Sequence, residues 1–209
     1  MVGLTMIIHT TALKNAANSI NEMPTEFNIL TGFKELHLKA INKNYSVRFV
    51  HAVLPFDKIT ISIMNNSEMV IYMNSPDRLT TSTKAIGILA NAIINWLNKI
   101  AHNTYPAIIR EYSQRFQFPI PPHFRTTTAR TKWGSYKSDG TISISLWLLF
   151  FSREALNHVI VHELCHTRCM DHGAGFKALL NQMCPETPQI KKELATSPPP
   201  ELAWIVQQS

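Results

Sequence analysis

The sequence predicts an α+β fold, and three patterns along the chain carry that prediction. Residues 45–73 contain short runs in which apolar and polar side chains alternate with the period of two typical of β-strands. From Ile86 to Ile100, apolar residues recur instead at the three- and four-residue spacing of an amphipathic helix. Residues 141–146 alternate again, and an apolar helical segment follows from Ala155. We therefore expect strands and helices to pack together in an α+β arrangement.

The composition is that of a globular protein. The chain has 209 residues, of which 45% are hydrophobic, enough for one well-packed domain. Its net charge of +6 permits but does not require an acidic partner. Three cysteines, two of them in one motif, argue against a disulfide framework and for a reducing compartment. The start of the chain lacks a signal-peptide pattern, and no segment reaches about 18 uninterrupted apolar residues. We expect a cytoplasmic protein with no membrane partner.

Changes in residue composition and in hydrophobic periodicity divide the chain into three regions. Residues 1–25 are polar, rich in Asn and Thr and without clear periodicity, so we expect a loosely ordered N-terminal segment. Residues 26–78 form a β-rich N-terminal part, and residues 79–209 contain the remaining helices and motifs. The strands of the second region, which we expect to be antiparallel, lie at 45–50, 59–64 and 69–73.

The third region begins with two predicted helices. The apolar stripe from Ile86 to Ile100 marks the first, and the apolar positions of residues 108–116 mark the second. We place the break between His102 and Pro106, because proline removes a backbone donor and disfavours helix in the residue before it. The proline-rich segment 118–122 then predicts an extended linker.

A strand hairpin precedes the most informative stretch. Arg125–Lys132 is rich in threonine and predicts a strand, and Ser138-Asp139-Gly140 is a hairpin turn signal. The returning strand, residues 141–146, has isoleucine and leucine on one face and serine on the other. Ser152 is a favourable N-cap for the helix that follows.

That helix carries His162, Glu163 and His166 in the order H-E-x-x-H, and His172 follows after five intervening residues. Residues four apart on an α-helix share one face about 6 Å apart along the axis, so both imidazoles can reach one ion at Zn–N distances of about 2.0–2.1 Å. Glu163 follows the first ligand directly, and its carboxylate suits a general base rather than a ligand. The pattern predicts one Zn²⁺ per chain, with a third protein ligand and one open position.

Two residues compete for the place of the third ligand. Cys169 lies three residues after His166, and a cysteine is a good zinc donor. A helix that continued would present Cys169, whereas a break near Met170 would let the chain turn back and present His172. Asp171 and the glycines at 173 and 175 favour the break and therefore His172.

Two further side chains of this helix have other expected roles. His158 lies eight residues before His166, about 12 Å along the helix axis, which is too far to share one ion. We expect it beside the ligands or exposed. Cys165 points away from the histidine face and is expected to be a small buried apolar residue.

Three sequence blocks resemble the YgjP-like metallopeptidase family, which is related to the SprT-like and WLM zinc peptidases. The blocks are Arg130–Ser135 (R-T-K-W-G-S), Gly140–Ser143 (G-T-I-S) and Val159–His166 followed by His172 and Phe176. The resemblance extends from about Thr83 to Leu194 and implies a zincin-like fold, because the hairpin leads into the H-E-x-x-H helix. It also implies zinc on His162, His166 and His172, with Glu163 as the catalytic carboxylate.

The chain departs from the family pattern at two places. Tyr136 stands where the family usually has a cysteine after W-G-S, so any role of that thiol is absent. After His172, the residues Gly173–Lys177 are closer to the H-G-x-x-F of SprT-like proteins.

The motif and the resemblance together predict a zinc-dependent metallopeptidase that cleaves a protein or peptide substrate, with Glu163 as general base. The alternative is a metal-dependent hydrolase of a non-peptide substrate, such as a nucleotide phosphoanhydride. A non-enzymatic binding module would leave Glu163 without a purpose. Tyr136, Arg130 and His102 are the candidates for stabilising the oxyanion. If the strand Arg125–Trp133 borders the cleft, a peptide could pair with it as an added strand.

The segment 110–137 is strongly basic. Phe124, Trp133 and Tyr136 are interleaved with its basic side chains, as in proteins that bind single-stranded nucleic acid. The related SprT-like and WLM peptidases act on proteins attached to DNA, so the resemblance favours nucleic acid as a partner. The competing interpretation is a solvated basic strand with Trp133 in the core. The basic residues are Arg110, Arg115, Arg125, Arg130, Lys132 and Lys137, with Glu111 as the one acid.

Overall fold

The computed structural model describes residues 29–55, 58–80 and 82–196, and the predicted loosely ordered segment 1–25 lies outside them. Helices and strands are mixed along the described chain, so the α+β prediction is confirmed. The helices are α1 (Ile29–Gly32), α2 (Thr83–Arg115), α3 (Arg153–Cys165), α4 (Ala174–Met183) and α5 (Pro188–Leu194). The strands are β1 (Glu35–Leu38), β2 (Lys43–His51), β3 (Thr60–Met64), β4 (Glu68–Met73), β5 (His123–Thr127), β6 (Gly134–Tyr136) and β7 (Thr141–Ser145).

The first sheet has the strand order β1-β2-β4-β3, and its strands lie where the alternating patterns predict them. β3 and β4 form an antiparallel hairpin through Asn65 and Asn66, both of which adopt positive φ. The prediction that all strands are antiparallel is wrong for β2 and β4, which pair in parallel with Val47 opposite Met69. The reason is burial: Met69 and Ile71 of β4 are 0% exposed, so β4 takes a central position and β3 is left at the edge.

Helix α2 runs unbroken from Thr83 to Arg115, so the predicted break between His102 and Pro106 is wrong. The buried face continues past the proline, because Tyr105 and Ile108 are both core residues. The lost backbone hydrogen bond at Pro106 is offset by this packing. None of the helices in the described ranges is long and apolar enough to cross a membrane.

The second sheet has the order β5-β7-β6. The predicted turn at Ser138-Asp139-Gly140 is present, with Gly140 at a φ of 81°, but the strand that it joins antiparallel to β7 is β6 rather than the predicted Arg125–Lys132. β5 pairs in parallel with β7 and ends at Thr127, earlier than the predicted strand end at Lys132. Beyond this point the chain leaves the strand ladder, because the carbonyl oxygen of Thr128 accepts a hydrogen bond of 2.8 Å from the Trp147 indole.

Helix α3 lies at the centre of the fold and contacts α2, α4, α5, β6 and β7. The Ser152 hydroxyl caps it by accepting a hydrogen bond of 3.1 Å from the backbone N–H of Ala155, as predicted. That hydroxyl also donates to the Glu193 carboxylate, at 2.6 Å, which ties α5 to the start of α3. The helix is buried along most of its length and ends at Cys165, so the chain turns directly after the H-E-x-x-H motif.

Candidate metal centre

The structure brings His162, His166 and His172 together. His162 lies on α3, His166 is the C-cap residue directly after it, and His172 lies in the segment before α4. One nitrogen from each ring lies within 4.8 Å of the other two. The closest pair is the Nε2 atoms of His162 and His172, which are 3.1 Å apart. Metal binding by these residues remains a prediction.

The tautomer of His166 suits a metal ligand. Its Nδ1 donates a hydrogen bond of 3.0 Å to the carbonyl oxygen of Cys169, since a carbonyl can only accept. The lone pair of His166 is therefore on Nε2, which is buried and has no hydrogen-bond partner among the described residues. Two nitrogens bound to one tetrahedral zinc at about 2.0–2.1 Å would be about 3.3 Å apart, close to the His162–His172 spacing. The spacing of this one pair and the partnerless Nε2 of His166 are those expected of a metal site.

Cys169 is placed differently from His172. The backbone N–H of Cys169 donates to the Cys165 carbonyl oxygen over 3.0 Å, and its own carbonyl holds His166. The group of three converging ligand atoms contains His172 and not Cys169. The physical reason is the end of α3 at Cys165, after which the chain no longer follows the helical spacing that would bring Cys169 onto the histidine face.

The ring of Phe176, on α4, packs against all three imidazoles. Its ring centroid lies 4.8, 4.6 and 4.7 Å from those of His162, His166 and His172, respectively. Burial lowers the pKa of His162 to about 3, with smaller contributions from the neighbouring histidines. Burial also lowers the pKa values of His166 and His172. The rings are therefore neutral at physiological pH, which is the form that binds a metal ion.

Glu163 is 0% exposed, and neither carboxylate oxygen has a hydrogen-bond partner in the described part of the chain. Burial raises the pKa of Glu163 to about 8, and the charge of Lys132 opposes this shift. Its side chain lies against the backbone of β6, where a Cβ atom added to Gly134 would stand 2.6 Å from Oε1. A carboxyl group that is buried without a partner, on the residue next to His162, fits a site that receives a cation.

Two other side chains of α3, those of Cys165 and His158, are buried. Cys165 is 0% exposed, as expected of a small buried apolar residue, and burial raises the pKa of its thiol to about 12. His158 is 1% exposed, so the expectation that it could be exposed is wrong, and it lies outside the group of three histidines. Its Nδ1 donates a hydrogen bond of 3.1 Å to the carbonyl oxygen of Cys184.

The candidates for oxyanion stabilisation remain predictions. The ring of His102 packs against Phe124 of β5, with 5.6 Å between centroids. The hydroxyl of Tyr136 lies 3.9 Å from the Cβ position of Gly140, at the hairpin turn. Arg130 is half-buried in the connection between β5 and β6. These contacts relate His102 and Tyr136 to β5 and the turn rather than to the three histidines.

Trp133 belongs to the core rather than to a surface that could stack on bases. It is 1% exposed, its indole N–H donates to the Leu194 carbonyl oxygen over 2.8 Å, and its ring packs on Phe151. Phe124 and Tyr136 are half-buried. Trp133 is therefore unavailable for stacking, and nucleic-acid binding by the basic residues of segment 110–137 remains a prediction.

Arg168, which the sequence analysis did not single out, attaches the loop of His172 to the end of α2. Its Nη2 donates to the carbonyl oxygens of Phe116 and Gln117, at 3.3 and 2.8 Å. Its guanidinium also lies 4.6 Å from the ring centre of Phe118. A basic residue commonly binds the free carbonyls at a helix C-terminus, but no sequence pattern links position 168 to the end of α2.

Comparison with known protein families gives one match. Residues 58–197 match the model of the family described as YgjP-like, metallopeptidase domain. No curated protein and no solved structure matches the chain. The matched span includes β6, α3, the three histidines and Glu163.

Proposed function

Because the chain belongs to the YgjP-like metallopeptidase family, we propose that it is a zinc-dependent cytoplasmic metallopeptidase acting on a protein or peptide substrate. The observation that carries the proposal is the convergence of His162, His166 and His172, whose ligand atoms lie within 4.8 Å of one another. Glu163, the next residue after the first histidine, is fully buried. A structural zinc site would be completed by four protein ligands, whereas three histidines leave a position open for chemistry.

His162, His166 and His172 would hold the ion. When bound, zinc supplies Lewis acidity, polarising a carbonyl oxygen and lowering the pKa of water to about 7. The chain's own contribution is to keep the three rings neutral and oriented. The Cys169 carbonyl orients His166, and the Phe176 ring excludes water from one side of the histidines.

Glu163 serves as the proton carrier. Its burial favours the protonated form, and a cation held by the neighbouring histidines would lower its pKa and favour the carboxylate. The carboxylate then accepts a proton from the attacking water and delivers it to the leaving amine. Because neither oxygen is engaged by a described protein donor, both are free for this transfer.

The substrate is expected to pair with β6. β5 and β6 are the two outer strands of the second sheet, and Glu163 lies against Gly134 of β6. An extended peptide added to the outer side of β6 would satisfy its backbone groups and pass close to the histidines. β6 therefore replaces the Arg125–Trp133 strand as the proposed docking edge.

The test combines elemental analysis with a panel of dye-labelled casein, quenched-fluorescent peptides and nucleoside triphosphates. We expect one zinc per chain and peptide cleavage that is lost with a chelator, restored by zinc and abolished in Glu163→Gln. Glu154→Gln is the matched control, because Glu154 is an exposed carboxylate in the first turn of the same helix. Hydrolysis of nucleotides without peptide cleavage would replace the proposal by the alternative hydrolase. Inactivity of the zinc-loaded protein on the whole panel would count against an enzyme.

A further inference from the structure

The position of the Glu163 carboxylate depends on the absence of a side chain at Gly134. A Cβ atom at this residue would lie 2.6 Å from Oε1, 2.7 Å from Cγ and 2.9 Å from Cδ of Glu163. The distances to Cγ and Cδ are far below the usual carbon–carbon contact of about 3.5–4.0 Å, and the distance to Oε1 is shorter still. The overlap includes Cγ as well as the tip of the side chain. A rotation of the carboxylate alone would therefore leave the clash in place.

Strand β6 is not free to move away from Glu163. Gly134 pairs with Ile144 of β7, and the carbonyl oxygen of the preceding Trp133 accepts a hydrogen bond of 2.8 Å from the Ser145 N–H. The Trp133 indole is in turn held by the Leu194 carbonyl oxygen. Shifting β6 would break these contacts and expose a tryptophan that is 1% exposed.

Helix α3 is held as firmly as β6. Val159, Ile160, Val161 and Leu164, which surround Glu163 on the helix, are all 0% exposed. Moving the helix would open the core on several sides at once. The element that yields to a larger residue at position 134 is therefore the Glu163 side chain itself.

We propose that Gly134 is a positioning residue whose missing side chain sets where the Glu163 carboxylate lies. The geometric part of this proposal stands on the contact between the two residues, while its consequence for turnover rests on the proposed function. Gly134→Ala would displace the carboxylate, leaving the three histidines and the zinc in place.

The contact is tested by a double-mutant cycle of Gly134→Ala and Glu163→Ala on the full chain. The first readout is the urea midpoint of unfolding with a chelator present, and the second is zinc content after reloading. We expect Gly134→Ala to lower the midpoint clearly when Glu163 is present, and by less than half as much in the Glu163→Ala background. Both Gly134→Ala proteins are expected to keep one zinc per chain. Gly175→Ala is the control, because a Cβ there meets nothing within 4 Å, and its midpoint should not fall.

Equal midpoint shifts in both backgrounds, or loss of zinc in Gly134→Ala, would overturn the proposal. If Gly134→Ala does not fold, recovery of folding in the double variant supports it, and failure of the double variant overturns it. Turnover of dye-labelled casein is the third readout, for which we expect a fall in kcat with KM retained. Undiminished kcat in Gly134→Ala, with Glu163→Gln inactive, would also overturn the positioning role. An inactive wild-type protein would refute the proposed function. The urea midpoints and zinc contents would still test the contact between Gly134 and Glu163.

Discussion

The backbone carbonyl of Cys169 accepts a hydrogen bond from Nδ1 of His166, across 3.0 Å. This contact assigns the two residues different tasks. The lone pair of His166 is left on Nε2, and Cys169 contributes its backbone carbonyl rather than its thiol to this contact. Partners of this kind orient a ligand ring and fix its tautomer.

The ligand assignment predicts how four single variants behave. His162→Ala, His166→Ala and His172→Ala should each lose stoichiometric zinc, because two imidazoles hold the ion far less well than three. Cys169→Ser should keep it, because only the backbone of Cys169 is used. Elemental analysis of the purified proteins checks this, and Co²⁺ loading provides a second check, since a thiolate ligand gives a charge-transfer band. Full zinc in His172→Ala, with none in Cys169→Ser, would reverse the assignment.

Glu163→Gln should keep both zinc and fold while reducing turnover by about 10²-fold or more, because an amide does not accept the proton that a carboxylate accepts. Zinc content, circular dichroism and kcat on dye-labelled casein are the measurements. Loss of zinc in this variant would indicate that Glu163 is a ligand, and unchanged kcat would remove it from the reaction.

We expect the buried His158 ring to make the free energy of unfolding depend on pH. Burial lowers its pKa from the ordinary value of 6.5, although Glu186, 3.9 Å away, opposes the shift. The folded protein therefore favours the neutral ring. The stability that this ring contributes is fully present above pH 6.5 and is lost as the pH falls below it.

The measurement compares urea midpoints of the wild type and His158→Asn, in chelator, from about pH 8 to about pH 5. Asparagine can retain the hydrogen bond to Cys184 but does not titrate. We expect the urea midpoint of the wild type to fall more steeply than that of the variant as the pH is lowered. Parallel curves would show that His158 does not contribute to the pH dependence.

Arg168→Ala should weaken zinc binding about tenfold, at the low end of the effects of residues that support metal ligands. The guanidinium holds the loop of His172 through the carbonyl oxygens of Phe116 and Gln117, so its loss frees the third ligand. Competition with a chelator measures the affinity. Arg115→Ala is the matched control, because Arg115 stacks on Phe116 of the same helix end but lies outside the histidine loop. Equal effects of the two variants would contradict this role.

The hypothesis that segment 110–137 binds nucleic acid predicts a salt-dependent interaction with single-stranded DNA. Binding of a labelled oligonucleotide should weaken steeply between low and moderate salt. The reason is that basic side chains release the cations condensed on the DNA, and added salt opposes this release. It should weaken further in Arg125→Ala/Lys132→Ala. With Trp133 buried, the expected contribution from base stacking is small. Absence of binding at low salt would leave these residues as ordinary surface.

The local patterns of the sequence were sufficient to predict several elements. The alternating residues of β3 and β7, the Gly140 turn and the Ser152 cap depend on neighbours close in the chain, and the structure has each of them as predicted. The H-E-x-x-H spacing likewise determines that His162 and His166 share one side of a helix, because four residues make about one turn.

Tertiary packing decided the remainder. Pro106 lies within α2 because the buried face on either side of it outweighs one lost hydrogen bond. β4 pairs in parallel with β2 because its apolar side chains are buried in the middle of the sheet. The turn signals in the sequence do not predict this pairing. Likewise, the contact of Glu163 with Gly134 joins residues far apart in the chain, so it exists only once α3 packs on β6. The sequence by itself determined which residue types the site contains, and the packing of α3 against β6 and α4 determined how they face one another.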